Sequence, residues 1–477
     1  MNIRMTIYVL GILLAFEGVF LGVPALTAGI YGEKQVWLFL GLAVFCLAAG
    51  FLIALKKPKN KSIFARDGFV IVSLCWIVMS VFGALPFYID GCIPHFIDAL
   101  FETVSGFTTT GASILSDVEA LPNSMLIWRS FTHWIGGMGV LVFIMAILPL
   151  SGASNMHIMR AESPGPSVSK LVPRIRKTAL LLYLIYIGLT VLEFILLAAG
   201  EMNCFEAANI SFATAGTGGF SVKNASMGCY SAYSQIVATV FMILFGVNFT
   251  SYFLLLSGRL KEAFNTEIRV YLLLIAASVG VIALNTRHLF VTAGETVRHA
   301  SFTVGSIITT TGFSTADFDL WPSLSKTVLV LLMFIGACAG STGGGIKVSR
   351  MILLGKSMRN EFRVMLHPRQ VRRVRLDGRQ IEAETIRTIN AFLFCYILIC
   401  IVSMLVVSLD GFDLTTNFTS VAATLNNIGP GLSRVGPTAN YALFSPLSKS
   451  VLIFDMLAGR LEIFPMILLF SPMTWKK

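Results

Sequence analysis

Apolar segments separated by short polar loops recur along the whole chain. Ten of them are long enough, or nearly long enough, to cross about 30 Å of hydrocarbon as an α-helix. They lie at 5–29, 36–55, 69–89, 126–150, 179–199, 235–256, 268–284, 327–340, 389–409 and 450–470. The seventh and eighth segments are short. The pattern predicts an all-α polytopic membrane protein.

The first two segments form a unit of their own. The N-terminus has the basic start and apolar run of a signal peptide, but the run is long and lacks a small-residue cleavage site. It continues through residues 31–33 into the second segment. We therefore predict a retained transmembrane hairpin over residues 1–62.

The composition excludes most soluble functions. Hydrophobic residues make up 55% of the chain and charged residues 13%, whereas soluble domains contain about 25% charged residues. A soluble enzyme, a secreted disulfide scaffold, a disordered chain and a nucleic-acid binder are poor interpretations. The eight cysteines form no CxxC pair and the six histidines form no HExxH motif, so no metal catalysis is expected. Cys204 and Cys229 share one outer loop, and a disulfide between them stays open.

The net charge of +11 is a topology signal. Basic residues crowd into 56–66, 160–177, 259–269 and 347–387 and the last two positions. If the spans alternate, all these segments lie on one side, which the positive-inside rule assigns to the cytoplasm together with both termini. The opposite loops are acidic and would concentrate cations. Their acidic residues are Asp90, Asp98, Glu102, Asp117, Glu119, Glu201, Glu206, Glu295, Asp317, Asp319, Asp410 and Asp413.

Four outer loops repeat one pattern, a helix-capable stretch followed by a turn rich in Thr, Asn and Gly. The turn glycines are Gly111, Gly219, Gly312 and Gly429, roughly 90 to 120 residues apart. The repeats predict domains at 1–62 (the hairpin), 63–155, 156–258, 259–365 and 366–477.

The repeated turns predict a cation pore. Irregular backbone at membrane depth is tolerated where it lines a cavity or is buried in protein. Four short helices that enter without crossing, each followed by an extended turn, would aim backbone carbonyls at a common axis and replace an ion's hydration shell. Glycine permits the backbone angles that this needs, and the helix C-termini carry partial negative charge. The prediction is a selective pore for monovalent cations.

The chain resembles the bacterial Trk/Ktr/HKT potassium transporter superfamily. The four turns, the segment WIGGMG at 134–139 and the segment GSTGGGIK at 340–347 carry the resemblance, and the extra hairpin points to the TrkH-type pore subunit. It implies a fourfold repeat of outer helix, re-entrant pore helix, filter turn and inner helix. The resemblance also implies that glycine at all four filter positions, Gly111 included, favours K+ over Na+, although the fourth turn departs from TTTG. The implied K+ filter residues are Thr109, Thr110, Gly111, Thr217, Gly218, Gly219, Thr310, Thr311, Gly312, Asn427, Ile428 and Gly429.

The eighth span contains a glycine-rich break. Residues 326–338 read as helix, but the glycines that follow cost about 1 kcal/mol each in a helix interior. A phosphate-binding loop is excluded because Ile346 separates Gly345 from Lys347 and no strand precedes it. A plain helix-ending loop stays an alternative. The resemblance implies an intramembrane gate below the filter. The gate residues are Gly340, Ser341, Thr342, Gly343, Gly344, Gly345, Lys347 and Arg460.

Arg460 lies in the last apolar span beside Asp455 and Glu462. A charge at this depth is costly unless it is paired or faces water. A structural ion pair with one of the two carboxylates, or a snorkelling side chain, is one interpretation. The other places Arg460 under the filter, where its charge opposes cation passage and anchors the gate.

The resemblance also implies partners and leaves alternatives. The arginines of 349–387 are more numerous than the positive-inside rule requires, and they would bind lipid headgroups or an acidic protein surface. The implied partner is a cytosolic RCK/KTN subunit, TrkA in the Trk branch, which binds NAD or adenine nucleotides. A homodimer in the bacterial inner membrane is also implied, with K+ as the transported ion and no cofactor or nucleic acid. A K+/H+ or K+/Na+ symporter and a Na+-permeable channel remain alternatives. A membrane-embedded enzyme is disfavoured, since the spans hold no cluster of His, Cys or carboxylates.

Overall fold

The computed structural model describes residues 2–58, 64–139, 175–367 and 373–475. The end of the predicted fourth span, 140–150, and the predicted basic segment 160–174 lie outside this part of the chain. The helices and strands, in chain order, are α1 (Ile3–Phe20), α2 (Gly22–Tyr31), α3 (Gln35–Ala54), α4 (Ala65–Asp90), α5 (Phe96–Phe107), α6 (Asn123–Gly137), α7 (Ile175–Ala198), α8 (Cys204–Gly216), α9 (Ala232–Phe245), α10 (Phe249–Leu256), α11 (Leu260–Ala263), α12 (Thr266–Thr286), α13 (Ala293–Ile308), α14 (Ser323–Ile335), α15 (Val348–Leu366), β1 (Arg375–Leu376), β2 (Arg379–Gln380), α16 (Ala383–Val407), α17 (Leu414–Leu425), α18 (Pro446–Arg460), α19 (Phe464–Phe470) and α20 (Pro472–Trp475).

The N-terminal hairpin is held together by glycines at a close helix crossing. Helix α1 packs along α3. A Cβ on Gly50 of α3 would lie 2.5 Å from the backbone nitrogen of Ala15, and one on Gly11 of α1 would lie 2.7 Å from the side chain of Ile53. Small residues allow such close backbone approach between helices in a membrane. The hairpin in turn packs on α4 and α6.

The remainder of the described chain repeats one unit four times. Each unit has an outer helix, a short helix that ends in a glycine turn, and an inner helix. The short helices are α5, α8, α13 and α17, with 12, 13, 16 and 12 residues. At a rise of about 1.5 Å per residue they reach only partway through about 30 Å of hydrocarbon. We call them pore helices.

The four units close into a ring. Within each unit the outer helix packs on its own pore helix: α4 on α5, α7 on α8, α12 on α13 and α16 on α17. Each inner helix then packs on the pore helix of the next unit: α6 on α8, α9 on α13, α14 on α17 and α18 on α5. Since the fourth unit returns to the first, the pore helices surround one central axis.

Within the described residues, three of the inner helices are broken, and this corrects the predicted spans. The sixth predicted span, 235–256, consists of α9 and α10, which are bent by 91°. The eighth ends at Ile335, before the predicted break, and resumes as α15. The last span breaks between α18 and α19 at residues 461–463. Hydropathy could not reveal the breaks in the sixth and last spans, because both halves of each are apolar. The glycine-rich segment had indicated the break in the eighth span, although the helix ends a few residues earlier than predicted.

A small β-hairpin is the one described departure from an all-helical chain. Strands β1 and β2 pair antiparallel, with Arg375 opposite Gln380. Asp377 and Gly378 between them both have positive φ, which matches the Asp-Gly preference of tight two-residue hairpins. Asp377 also accepts a hydrogen bond from the backbone N–H of Thr266 at 3.0 Å, so the hairpin is fixed to the start of α12.

We predict that Gly50→Leu destabilises the protein. The nearest atoms to the added Cβ are backbone atoms of α1, which cannot move aside without separating the helices, so about 1–3 kcal/mol should be lost. Gly41→Leu on the same helix is the control, because a Cβ there meets no atom within 4 Å. Thermal unfolding in detergent should show a lower midpoint for Gly50→Leu alone; equal midpoints would contradict the close crossing.

Candidate ion-conduction site

The four glycine turns share one backbone conformation. We number them turn 1 (109–111), turn 2 (217–219), turn 3 (310–312) and turn 4 (427–429). The first residue of each is left-handed, with φ of 56° at Thr109, 55° at Thr217, 60° at Thr310 and 55° at Asn427. The third is always glycine, with φ of 78°, 80°, 88° and 93° in the same order. A side chain at the third position would be strained, whereas glycine adopts this φ freely.

Each turn is tied to its own pore helix by the same hydrogen bond. The backbone N–H of the middle residue donates to a carbonyl five residues back, at 2.8 Å in all four turns. The pairs are Thr110 to Ser105, Gly218 to Ala213, Thr311 to Ser306 and Ile428 to Ala423. Equal geometry in four unequal sequences indicates that the turns are equivalent parts of one structure.

The turns contact one another in a closed cycle. A Cβ on Gly111 would overlap the carbonyl oxygen of Gly218 in turn 2, and a Cβ on Gly219 would overlap that of Thr311 in turn 3. The same holds between turns 3 and 4, where Gly312 meets the carbonyl of Ile428. Turn 4 closes the cycle, since a Cβ on Gly429 would lie 2.7 Å from the carbonyl oxygen of Thr110.

All twelve predicted filter residues therefore lie in one ring. The structure brings together Thr109, Thr110, Gly111, Thr217, Gly218, Gly219, Thr310, Thr311, Gly312, Asn427, Ile428 and Gly429. Four backbone carbonyls, one from the middle residue of each turn, stand at the four joints. The glycines are what permits this packing, because each one touches a neighbouring backbone and leaves no space for a side chain.

A buried ion pair braces turns 1 and 2 from behind. Arg129 of α6 donates to Glu102 of α5 at 2.8 Å, and both side chains are almost fully buried. Glu102 also accepts from the backbone N–H of Ile114 at 3.0 Å, and the Arg129 guanidinium lies 4.1 Å from the ring centroid of Phe220. Buried charges need such additional partners to be stable. Arg129 was not predicted to have a role, although a lone arginine in an apolar span is a signal for one.

Glu102 also corrects the prediction of a uniformly acidic outer mouth. It is buried in the ion pair with Arg129, and Asp98 is paired with Lys449 at 2.6 Å. Other outer carboxylates remain near the surface. A hydrogen bond from the side-chain amide of Asn224 lowers the pKa of Asp117, and one from the hydroxyl of Thr416 lowers the pKa of Asp413. Both carboxylates are thereby held in their charged form.

Turn 4 differs from the others through its asparagines. The side-chain amide of Asn427 donates to the hydroxyl of Thr110 in turn 1 at 3.0 Å and to the carbonyl of Met456 in α18 at 2.9 Å. Asn426 accepts from the hydroxyl of Tyr396 at 2.9 Å. Asn427 thus links turn 4 to turn 1 and to an inner helix, whereas Asn426 is anchored to the outer helix α16.

The glycine-rich break lies directly against turns 3 and 4. We call residues 336–347 the glycine loop. The backbone N–H of Gly344 donates to the hydroxyl of Thr310 at 2.6 Å. A Cβ on Gly343 would lie 2.8 Å from the carbonyl oxygen of Thr309, and a Cβ on Gly344 would overlap that of Asn426. The loop is therefore packed against the ring, backbone to backbone.

The broken inner helix of the second unit receives the glycine loop. The break between α9 and α10 leaves backbone groups without helical partners. The loop supplies them: Cys338 N–H donates to the carbonyl of Gly246 at 3.1 Å, and Gly340 accepts from Phe249 N–H at 3.0 Å. The Thr342 hydroxyl donates to the carbonyl of Phe245 at 3.2 Å. At membrane depth, the two irregular segments therefore satisfy each other's backbone hydrogen-bonding groups.

Arg460 binds the backbone around the ring. It donates to the carbonyl of Thr342 in the glycine loop at 2.8 Å, to that of Gly137 in α6 at 2.7 Å, and to that of Gly136. The two predicted carboxylate partners are engaged elsewhere. Asp455 accepts from the Ser403 hydroxyl at 2.7 Å, and Glu462 forms an ion pair with Arg350.

Two more cations flank the far end of the loop. Lys347 has a φ of 85°, and its ammonium group donates to the carbonyl of Gly343 within the loop. Arg350, in the first turn of α15, donates to the carbonyl of Ile346 at 3.1 Å and lies 4.4 Å from the ring centroid of Phe392. Its ion pair with Glu462 connects the loop to the break between α18 and α19. The sequence analysis did not identify Arg350.

Glu267 holds the glycine loop near both of its ends. One carboxylate oxygen accepts from the backbone N–H of Ala339 at 2.7 Å and from that of Ser349 at 3.1 Å. The side chain is buried. Sequence analysis missed this residue because it lies one position before the predicted seventh span and reads as part of a polar loop.

Other chemistry-bearing residues stand apart from the ring. Cys204 and Cys229 are free thiols, so the structure does not contain the disulfide left open above. Glu17 and Glu193 are fully buried, and Glu17 lies 3.3 Å from the position of a Cβ on Gly83 in α4. Within the described part of the chain, no group of three or more His, Cys, Asp and Glu residues could hold a metal ion.

We predict that Glu267→Ala loosens the glycine loop. The two N–H groups that bracket the loop would lose their shared acceptor, and the buried Cys338 would react faster with a maleimide. Peptide mass spectrometry resolves this site from Cys46, which is buried in the hairpin and serves as the internal control. Glu267→Gln, which keeps one acceptor oxygen, should react at an intermediate rate. Unchanged labelling of Cys338 in both variants would show that Glu267 does not hold the loop.

Known proteins of the same architecture match the whole chain. A sequence model of the TrkH family, described as a cation transport protein, matches residues 34–477. The chain is 37% identical over 486 residues to the Trk system potassium uptake protein TrkH of Escherichia coli (strain K12), covering 100% of both chains. It is 34% identical over 485 residues to TrkG of the same organism, covering 100% of this chain and 99% of TrkG.

A solved structure agrees in fold as well as in sequence. The crystal structure of the potassium transporter TrkH from Vibrio parahaemolyticus has a TM-score of 0.90 and 34% identity to this chain, with 100% of both chains covered. The fold class and the resemblance found in the sequence are confirmed. The chain belongs to the TrkH family of cation transport proteins.

Proposed function

We propose that the chain is a potassium-uptake pore whose selectivity filter is the ring of four glycine turns. The observation that carries the proposal is the closed cycle of contacts, in which each turn glycine lies against a backbone carbonyl of the next turn. Such a ring offers carbonyl oxygens in place of a hydration shell. The relatives named as potassium uptake proteins support K+ as the ion.

The ligand type favours a monovalent cation. Ca2+ and Mg2+ sites rely on charged carboxylates, and the twelve ring residues include none. Glu102 of the pore helix α5 is neutralised by Arg129. Neutral carbonyls and hydroxyls bind K+ weakly enough that an ion can leave the ring as well as enter it.

The glycine loop would be the gate. It packs against the ring at Gly343 and Gly344, and cations at Arg460 and Lys347 donate to its carbonyls. An ion leaving the ring would meet both a backbone obstruction and positive charge. Opening requires the loop to give up these bonds, and its glycines lower the conformational cost of moving.

Inward movement needs no chemical step. With both termini and the basic segments in the cytoplasm, an inside-negative potential favours entry by about 2.3 kcal/mol per charge per 100 mV. The ionised Asp117 and Asp413 would attract cations at the outer mouth. The buried carboxyl of Asp455 is hydrogen-bonded to Ser403 and not to the ring, so the proposal is a gated channel in the bacterial inner membrane.

Regulation would come from a cytosolic partner. Helix α15 begins at the end of the glycine loop and carries several of the arginines noted in the sequence. A TrkA-like RCK/KTN subunit that binds NAD or adenine nucleotides would pull on this helix and thereby on the loop. The repeats, with their domains at 63–155, 156–258, 259–365 and 366–477, would form the pore, and two such chains would form a homodimer.

We predict selective flux in proteoliposomes. Purified protein should carry K+ and Rb+ at much higher rates than Na+ and Li+, because the backbone ring fits the larger ions after they lose their water. Flux of each ion can be followed with the other ions as external competitors. Equal rates for Na+ and K+, or no flux at all, would contradict the proposed function.

We predict that Arg460→Gln raises the basal K+ flux. The change removes a positive charge from below the ring and weakens the bonds to Thr342, Gly136 and Gly137. Losing charge-assisted hydrogen bonds should favour the open loop by about 1.5–3 kcal/mol, a roughly tenfold or greater rise where the closed state dominates.

Arg269→Gln is the matched control for charge. Arg269 donates to the carbonyl of Phe264 at 3.0 Å on an exposed surface, and its loss should leave the flux unchanged. If Arg460→Gln has wild-type flux at equal protein incorporation, the arginine does not hold the loop closed.

A further inference from the structure

A basic cavity lies beside the β-hairpin, outside the ring and the glycine loop. It has a volume of about 620 Å3 and lies between α15 and the β-hairpin. Five cationic side chains line it: Lys356, Arg359, Arg363, Arg373 and Arg375. No carboxylate is among the described residues that line it. Volumes of roughly 300–1,000 Å3 are typical of sites that hold small molecules or headgroups.

The five cations are not neutralised by neighbouring acids. Among the described residues, none of them forms an ion pair with Asp or Glu. The contacts that two of them make are to neutral oxygens. Lys356 donates to the carbonyl of Arg375 at 2.9 Å, and Arg373 donates to the side chain of Gln380 at 3.2 Å. Like charges gathered in one cavity repel each other, and a bound anion would relieve that repulsion.

The walls of the cavity are fixed by hydrogen bonds of their own. Asp377 at the tip of the β-hairpin accepts from Thr266 of α12, and Lys356 joins α15 to β1. The cavity therefore exists without a ligand, which lowers the entropy lost on binding.

The cavity lies where the phosphate groups of lipids or of soluble molecules can enter it. Gln380 is three residues before α16, a membrane span that leads to the pore helix α17 at its other end. The cavity thus lies at the membrane boundary opposite the pore helices. Both anionic lipid headgroups and soluble phosphates reach such a surface.

We propose that this cavity is a binding site for a phosphate-bearing anion. Guanidinium groups bind phosphate oxygens through two parallel N–H donors, which is the geometry in which arginine exceeds lysine. Four of the five cations are arginines. A concave site of this size admits a headgroup or a diphosphate, whereas the convex surface of a folded acidic protein would contact only its rim.

The test measures binding to the full-length protein in detergent by calorimetry. Inorganic pyrophosphate is the soluble probe. Water-soluble short-chain phosphatidylglycerol is the lipid probe for the same protein in detergent, and short-chain phosphatidylcholine is its neutral control. The double variant Arg359→Gln/Arg363→Gln removes two exposed arginines of α15. It should bind about tenfold more weakly or worse, and binding to the wild type should fall as salt is raised.

Arg379→Gln is the matched control. Arg379 lies on β2, next to Gln380, and does not line the cavity. It should bind like the wild type. Size-exclusion elution confirms that the variants are folded, and no step of the test depends on ion flux, so its outcome is independent of the proposed pore function.

The outcomes separate the sources of phosphate. Binding of pyrophosphate that is lost in the double variant supports the site with a soluble ligand, and binding that appears only with phosphatidylglycerol supports it with a lipid headgroup. Oligoglutamate binding as tightly as pyrophosphate would overturn the proposal in favour of an acidic protein. The proposal is also overturned if neither phosphate probe binds. The same holds if Arg379→Gln weakens binding as much as the double variant does.

Discussion

Backbone contact between the four turns is the constraint on which the rest of the structure depends. Each turn glycine touches a carbonyl of the next turn, so no side chain fits at that position and no turn can move alone. The pore helices, each of which accepts the same hydrogen bond from its turn, then have fixed ends. Each inner helix packs against the pore helix of the next unit, so the fourfold order extends outward from the ring to the inner helices. The ion pair of Glu102 and Arg129 adds a buried brace between the first two turns.

The irregular backbone around the ring is stabilised by other irregular backbone. The glycine loop fills the break between α9 and α10 with hydrogen bonds in both directions, and Arg350 joins the loop to the break after α18. Arg460 donates to carbonyls of the loop and of α6, so one side chain ties the loop to the inner helix of the first unit. Under the proposed function, its positive charge would oppose cation passage below the ring until the loop is released.

Much of the ring and of the glycine loop could be predicted from the sequence, because the turn pattern is repeated four times. One TTTG turn is ordinary loop chemistry, but four turns at the same place in the topology predicted the ring, and glycine density predicted the loop. The residues that were missed act through contacts with residues far away in the sequence. Glu267 lies far from the loop in sequence, Arg350 finds its acid 112 residues away, and Arg129 was overlooked within an apolar span. The breaks in the sixth and last spans were missed because hydropathy averages over both halves of a bent span. Spacing could not show the backbone contacts of Arg460, because their partners Thr342, Gly136 and Gly137 lie far from it in the sequence.

The central claim is that the four turns form one ion-coordinating ring, and Rb+ diffraction tests it most directly. Crystals grown in Rb+ and measured at its absorption edge should show anomalous density on the axis enclosed by the turns, close to the carbonyl oxygens of Thr110, Gly218, Thr311 and Ile428. The same peaks should weaken when K+ is added and persist when Li+ is added. Rb+ density absent from the ring, or located only elsewhere in the chain, would contradict the account.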